Sequence, residues 1–120
     1  MKVVIFAFEN PEDFAKRDDP AAFEAYMAPW KAYSDQLAEA GVLEAGCALE
    51  QPHSATTLSL RDGAREVQDG PYADAKEQLG GYFLLDVPDM ATAEKWAAAC
   101  PAAETGRAEA HLVPDYGSEG

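Results

Sequence analysis

Residues 79–87 read LGGYFLLDV, an apolar run that predicts a central β-strand. Asp89 follows as the cap of a helix that runs to about Cys100, and Pro101 closes that helix. Residues 107–113 then alternate between apolar and polar side chains, which predicts the last strand. The second half of the chain is therefore expected to fold as strand, helix, strand.

The first half begins with a similar unit. Val3 to Phe8 is a compact apolar run with a β-branched start, which predicts a buried strand. Residues 9–20 are polar and contain two prolines, so we expect a loop there that includes at most a short turn. Residues 42–50 predict a second strand.

A helix is predicted between these strands, from Ala21 to Ala40. Its apolar residues recur at helical spacing, and Gly41 supplies the left-handed residue that ends helices. Pro29 lies inside the pattern and removes a helical hydrogen bond. We therefore predict a kink or break near Ala28.

A β-hairpin is predicted between the two halves. Thr56 to Arg61 and Ala64 to Gln68 are two extended runs separated by Asp62-Gly63, a strong signal for a tight hairpin turn. The full order predicts a single α+β domain over residues 1–120, a ferredoxin-like split βαβ sandwich with an added hairpin and both helices on one face of the sheet. The other face is expected to meet a second copy of the chain.

Composition limits the possible partners. Nine Lys and Arg residues against 22 Asp and Glu residues give a net charge of −13, which argues against binding to nucleic acid or to an anionic membrane. No apolar run approaches the ~20 residues of a membrane span, and the start is too soon broken by polar residues for a signal peptide. A cytoplasmic location is therefore expected.

Residues 69–84, DGPYADAKEQLGGYFL, resemble the signature of the YCII-related family, and more closely the branch named for its Asp-Gly-Pro-Phe (DGPF) motif, with Tyr72 in the fourth place. Residues 37–43, 55–57, 61–63 and 93–97, with the closing Pro101, extend the resemblance over nearly the whole chain. The resemblance implies a dimeric α/β barrel. Its wider superfamily contains enzymes acting on ring compounds and also ligand-binding or regulatory modules, and members of the branch are often encoded beside alternative sigma factors. His111 stands where relatives usually carry an Arg.

Three residues are candidates for catalysis. Asp69 either orients a group toward a pocket or only starts a turn, the role that Asp-Gly-Pro favours by itself. Lys76 either binds a substrate anion or acts as a base if desolvated, or it is simply solvated. His111 shares a strand face with Glu109 and either forms a base with its orienting acid or is a histidine at an edge or interface.

Four residues are candidates for ligand binding: Tyr33, Tyr72, Gly81 and Tyr82. The paired Gly80-Gly81 allows a bulge or the close approach of a ligand or partner, and lacks the spacing of a phosphate-binding loop. Tyr33 is expected in the core or along a groove. No metal site and no cofactor are predicted, because the two histidines have no partners at ligand spacing.

Two functions remain open. In the first, the protein is a homodimer that binds a small organic molecule and, in its stronger form, transforms that molecule by cofactor-free proton transfer or lyase-type chemistry. In the second, it is a non-catalytic ligand-sensing or regulatory module linked to a transcription pathway.

Overall fold

The computed structural model describes residues 1–71 and 76–115. Four antiparallel strands form the main sheet: β1 Lys2–Glu9, β2 Leu43–Ala48, β5 Gln78–Asp86 and β6 Arg107–Leu112. They lie in the order β2-β5-β1-β6. The predicted mixed α+β fold with antiparallel pairing is confirmed, and β5 is one of the two central strands.

Four helices are present among the described residues: α1 Pro11–Ala15, α2 Phe23–Glu39, α3 Met90–Ala99 and α4 Ala102–Thr105. Asp89 caps α3 as predicted, because its side chain accepts a hydrogen bond from the Thr92 amide at 2.8 Å. Gly41 follows α2 with a φ of 75°. Both predicted helix ends therefore rest on the expected local chemistry.

Helix α2 runs through Pro29 as one helix, so of the two alternatives predicted near Ala28, a kink or a break, the break is wrong. A proline costs a helix one hydrogen bond and some crowding. The second half of α2 compensates by burying Tyr33 and Leu37 against the sheet. Tertiary packing therefore outweighs the local penalty.

The loop predicted over residues 9–20 also needs correction. It contains α1 and a 3₁₀ turn, Lys16–Asp18. Asn10 caps α1 by accepting a hydrogen bond from the Asp13 amide at 2.8 Å, and Pro11 occupies the first helical position, where its missing N–H costs nothing. Pro101, predicted only to close α3, is also the N-cap residue of α4.

One face of the sheet carries the core. Strand β1 alternates strictly, and its residues at odd positions point toward the helices. They pack with residues of β5, α2, α3 and α4 in a single cluster: Val3, Ile5, Ala7, Tyr33, Leu37, Leu85, Val87, Ala93, Cys100 and Ala102.

None of the described helices lies on the opposite face of the sheet, which we call the open sheet face. Its central part consists of half-buried apolar side chains of β1 and β5: Val4, Phe6, Phe8, Tyr82 and Leu84. Residues 107, 109 and 111 of β6 pair with β1 in a register that places them on this face.

The hairpin is a separate two-stranded sheet of β3, Thr56–Arg61, and β4, Ala64–Asp69. Asp62 and Gly63 at its turn have φ values of 51° and 79°. Positive φ at both central residues is the geometry that Asp-Gly favours, so this prediction is confirmed.

Candidate functional site

A buried carboxylate ends strand β1. Glu9 lies on the helix-facing side of the sheet because it continues the alternation of Val3, Ile5 and Ala7, and only 2% of its surface is exposed. Its two oxygens accept hydrogen bonds from Arg17 Nη2, at 2.7 Å, and from Tyr26 Oη. We call Glu9, Arg17 and Tyr26 the Glu9 cluster.

Arg17 ties this cluster to three other parts of the fold. Its guanidinium donates to the carbonyl of Gly80 at 3.1 Å, to the carbonyl of Leu49 and, through Nε, to Tyr26 Oη at 3.2 Å. It also lies over the ring of Phe14, 4.7 Å from the centroid. The cation and the carboxylate thus neutralise each other where either alone would be costly to bury.

Tyr26 presents its hydroxyl to this cluster from α2. Burial and the hydrogen bond to Glu9 raise the pKa of Tyr26 to about 12. The phenol therefore stays protonated at neutral pH and acts as a donor to the carboxylate.

Gly80 makes room for the cluster. The pairing of β1 with β5 steps from Ala7–Gly81 to Phe8–Leu79, so Gly80 is the extra residue of a β-bulge. A Cβ atom on Gly80 would collide with Glu9 Oε2 and lie 3.1 Å from Arg17 Nη2. The close approach expected at the paired glycines is therefore made, at Gly80, by the protein's own ion pair.

A cavity of about 520 Å³ opens between α2 and the part of the sheet formed by the edge strand β2 and its neighbour β5. We call it the α2–β5 cavity. The Glu9 cluster contributes to its wall, and most of the remaining wall is apolar or aromatic. The apolar lining comes from Phe23, Met27, Trp30, Leu43, Ala48 and Phe83, with backbone from Gly46, Gly80 and Gly81. Of the predicted ligand-binding residues, Gly81 lies here.

A second cavity, of about 530 Å³, lies between α2 and residues 98–105. It shares Glu9, Tyr26 and Trp30 with the first, and Tyr33 lines it. The Tyr33 hydroxyl donates to the Trp96 carbonyl at 2.7 Å, and burial raises the pKa of Tyr33. Tyr33 is therefore a core residue at the edge of a groove, one of the two placements expected for it.

His111 and Glu109 lie together on the open sheet face, with His111 Nε2 and Glu109 Oε1 2.9 Å apart. His111 also meets the edge of Phe6, with the ring centroids 5.2 Å apart. The pKa of Glu109 is lowered by its hydrogen bonds to His111 and Arg107. The predicted shared face of this pair is confirmed, but His111 lines neither cavity, because the register of β6 turns it away from the helices.

The other candidates are dispersed. Asp69 is the exposed last residue of β4, before Gly70 with a φ of 88°, and Lys76 is exposed in the connection to β5. Tyr82 lies on the open sheet face opposite Cys47, and its hydrogen bond with the Cys47 thiol raises the pKa of Tyr82. Tyr72 falls outside the described residues. A common pocket for His111, Lys76 and Asp69 is thus not formed by the described part of the chain.

The Glu9 cluster was not among the candidates drawn from the sequence. One signal was available in the sequence, because Glu9 continues the odd-numbered positions of the first strand, which are the buried ones in its alternating pattern.

Among residues 1–71 and 76–115, no three His, Cys, Asp or Glu side chains are placed to hold a metal ion. None of the helices described is long and apolar enough to cross a membrane.

Comparison with known proteins agrees with the sequence signature. The model of the YCII-related domain matches residues 1–115. The chain belongs to the YCII-related family. An uncharacterised protein of Rhizobium meliloti (strain 1021) is 36% identical over 67 residues, which are 56% of this chain and 54% of that protein. The chain thus spans about half the length of the curated relative it matches.

One solved structure is similar at 15% identity and a TM-score of 0.49, over 95% of this chain and 94% of the other. It is the 5-chloro-2-hydroxyhydroquinone dehydrochlorinase TftG from Burkholderia phenoliruptrix AC1100, in complex with 2,5-dihydroxybenzoquinone.

Proposed function

We propose that this YCII-related protein binds a small organic molecule in the α2–β5 cavity. The molecule has a flat apolar body and one polar group. The observation that carries the proposal is the Glu9 cluster, a buried charged group at the wall of a mostly apolar cavity of about 520 Å³, whose other polar lining residues are Asp18, Lys31, Ser34 and Glu50. Concave, mostly apolar sites with a few convergent polar groups are typical of small-molecule binding.

The aromatic wall supports a flat ligand body. Trp30 of α2 and Phe83 of β5 lie nearly parallel, with an interplanar angle of 9° and a centroid separation of 6.4 Å. Both are half-buried and line the cavity. A planar ligand extends such a stack and gains contact area without forcing a rotamer change.

The polar wall supports a ligand that donates a hydrogen bond. The Glu9 carboxylate is held by Arg17 and Tyr26 and still has lone pairs to offer. In the stronger form of the proposal, Glu9 accepts a proton from the bound molecule, which is the cofactor-free proton transfer or lyase-type chemistry expected above. In this form Glu9 takes the role of base that the sequence suggested for His111 or Lys76.

The non-catalytic alternative has its own support. The hydrogen bonds of the Glu9 cluster are satisfied within the protein, and neither His111 nor Lys76 lines a described cavity. A site of this kind binds without turning over, as a ligand-sensing or regulatory module linked to transcription would. Replacing Glu9 with Gln separates the two: it abolishes turnover in the first case and leaves the response to ligand in the second.

We also propose that the protein is a cytosolic homodimer of the DGPF branch, paired through the open sheet face into a dimeric α/β barrel of ferredoxin-like units. Phe6, Tyr82 and Leu84 are only half-buried in a single chain and form the centre of that face. Contiguous apolar surface of this kind marks an interaction site. Sedimentation at micromolar concentration tests this proposal, since a particle of 12.9 kDa contradicts it.

The binding proposal is tested with benzyl alcohol as the probe and thermal unfolding as the readout. Ser34→Phe places a ring in the α2–β5 cavity, whereas Ala38→Phe adds the same ring on an exposed part of α2 that lines neither cavity. We expect stabilisation of the wild type and of Ala38→Phe by millimolar benzyl alcohol, and none of Ser34→Phe. Equal stabilisation of all three proteins contradicts the proposal.

A further inference from the structure

The β3–β4 hairpin exposes an apolar face that no other described element covers. Leu58, Leu60 and Val67 are 56%, 68% and 58% exposed, and Leu58 pairs directly with Val67 across the two strands. A two-stranded ribbon is marginally stable by itself in water. Its exposed leucines and valine are therefore expected to be covered by another surface.

The charged residues on this face are arranged so that the face is complementary to a second copy of itself. Alternation places Arg65, Val67 and Asp69 of β4 on the same face as the two leucines. Arg65 lies toward the turn and Asp69 at the base of the ribbon, with Val67 midway. Neither Arg65 nor Asp69 forms an ion pair within the residues that the structure describes.

This order suits a two-fold axis that lies between two hairpins and runs across their strands at the level of the Leu58–Val67 pair. Rotation about that axis places the second hairpin face to face with the first, with its strands running antiparallel to those of the first. Val67 then meets Val67 of the partner subunit, and Arg65 meets Asp69 of the partner subunit, twice by symmetry. The same patch serves on both subunits, as a two-fold interface requires.

We propose that the hairpin is a dimerisation arm whose apolar face packs on the same face of the hairpin of a second copy, with Arg65 against Asp69 of the partner subunit. Three apolar side chains per arm are far less than the ~800 Å² that a stable interface buries on each partner. The arm contact therefore adds to another contact between copies, and the inference rests on the homodimer proposed above. It also gives Asp69 a role other than catalysis.

A charge-swap series tests the ion pairs, with the dissociation constant of the wild-type assembly measured by sedimentation. Arg65→Asp and Asp69→Arg each replace two attractive pairs with two repulsive ones, and we expect each to weaken association by about tenfold. The double variant restores opposite charges and should return association close to that of the wild type.

Matched controls lie on the other face of the same hairpin. Arg61→Asp and Glu66→Arg change the net charge by the same amounts, but their positions point away from Leu58 and Val67. We expect both controls to associate like the wild type. If the single swaps at positions 65 and 69 behave like these controls, or the double swap fails to recover, the arm contact is refuted and the homodimer stands. If the wild type is monomeric at every concentration, both proposals fall.

A cross-link tests the geometry. In a Cys47→Ser background, Val67→Cys places two thiols at the two-fold axis, across the roughly 10 Å that separates packed sheets. That distance is too long for a direct disulfide, so we expect a short bis-maleimide reagent to give a covalently linked dimer. Gln68→Cys, one residue along on the opposite face, should remain unlinked. Equal linking of the two variants overturns the proposed packing.

Discussion

Gly80→Ala is the substitution whose effect the structure specifies most closely. The new methyl group collides with Glu9 Oε2 and comes to 3.1 Å from Arg17 Nη2. A flexible side chain would move aside, but the Glu9 carboxylate is 2% exposed and fixed by Arg17 and Tyr26. Either the bulge shifts or the ion pair opens.

The expected cost follows from these two routes. Overpacking of a filled site costs about 1–3 kcal/mol, and opening a buried ion pair costs about 3–5 kcal/mol. We expect Gly80→Ala to lower the free energy of unfolding by about 3 kcal/mol, because the cheaper route still strains the pair. For a domain of this size, that loss corresponds to a fall in Tm of roughly 10 °C.

Chemical denaturation of Gly80→Ala, Glu9→Ala and the double variant measures the effect and its cause. If the clash with Glu9 is responsible, the cost of Gly80→Ala should largely disappear once the carboxylate is removed, which gives a large coupling energy. A cost under about 0.5 kcal/mol, typical of an uncrowded surface position, refutes the reasoning. An equal cost in both backgrounds refutes it as well.

Three further predictions concern other parts of the structure. The pKa of Tyr26 is about 12 in the folded protein, against about 10 for an unperturbed Tyr. The contribution of Tyr26 to the free energy of unfolding should therefore be full below pH 10 and lost as the pH rises through 12. Tyr26→Phe should flatten that part of a plot of stability against pH. Burial raises the pKa of the Cys100 thiol to about 11, so a thiol reagent at pH 8 should leave Cys100 unmodified in the native protein. Cys47 is exposed on the open sheet face and should react. If two copies pair through that face, the reaction of Cys47 should become faster on dilution. Asp89→Ala removes the hydrogen bond to the Thr92 amide and should lower the Tm by a few degrees, and Asp89→Asn, which keeps the acceptor, should recover most of that loss.

Local signals in the sequence were sufficient to predict most of the helices and strands. Asp62-Gly63 predicts the hairpin because the tight turn needs positive φ at two adjacent residues, which Asp and Gly tolerate. Asp89 predicts the start of α3 because its side chain accepts a hydrogen bond from the Thr92 amide. Pro29 was misleading as a sign of a helix break because its penalty is local, whereas the packing that keeps α2 continuous through it comes from distant strands. Asn10 and Pro11 show that a short helix is easily mistaken for a loop, even when its cap is present in the sequence.

The candidate site was harder to predict because it is assembled from distant positions. Glu9, Arg17, Tyr26 and Gly80 lie on four separate elements, and only the bulge at Gly80 brings its carbonyl to Arg17. The pairing of His111 with Glu109 follows from strand alternation and was foreseen. Which side of the sheet that pair faces depends on the register with β1, and no local pattern encodes it.

The binding of a small aromatic molecule in the α2–β5 cavity is tested most directly by the two tryptophan side chains. Trp30 lines the cavity, whereas Trp96 packs on Tyr33 and lines neither cavity, so the two indole N–H signals in a ¹H–¹⁵N spectrum form a site and its internal control. On titration with benzyl alcohol, we predict a saturable shift of the Trp30 signal, an unmoved Trp96 signal, and loss of the Trp30 shift in Ser34→Phe. Parallel shifts of both indoles, or a Trp30 shift that survives Ser34→Phe, would contradict the assignment of this cavity as the binding site.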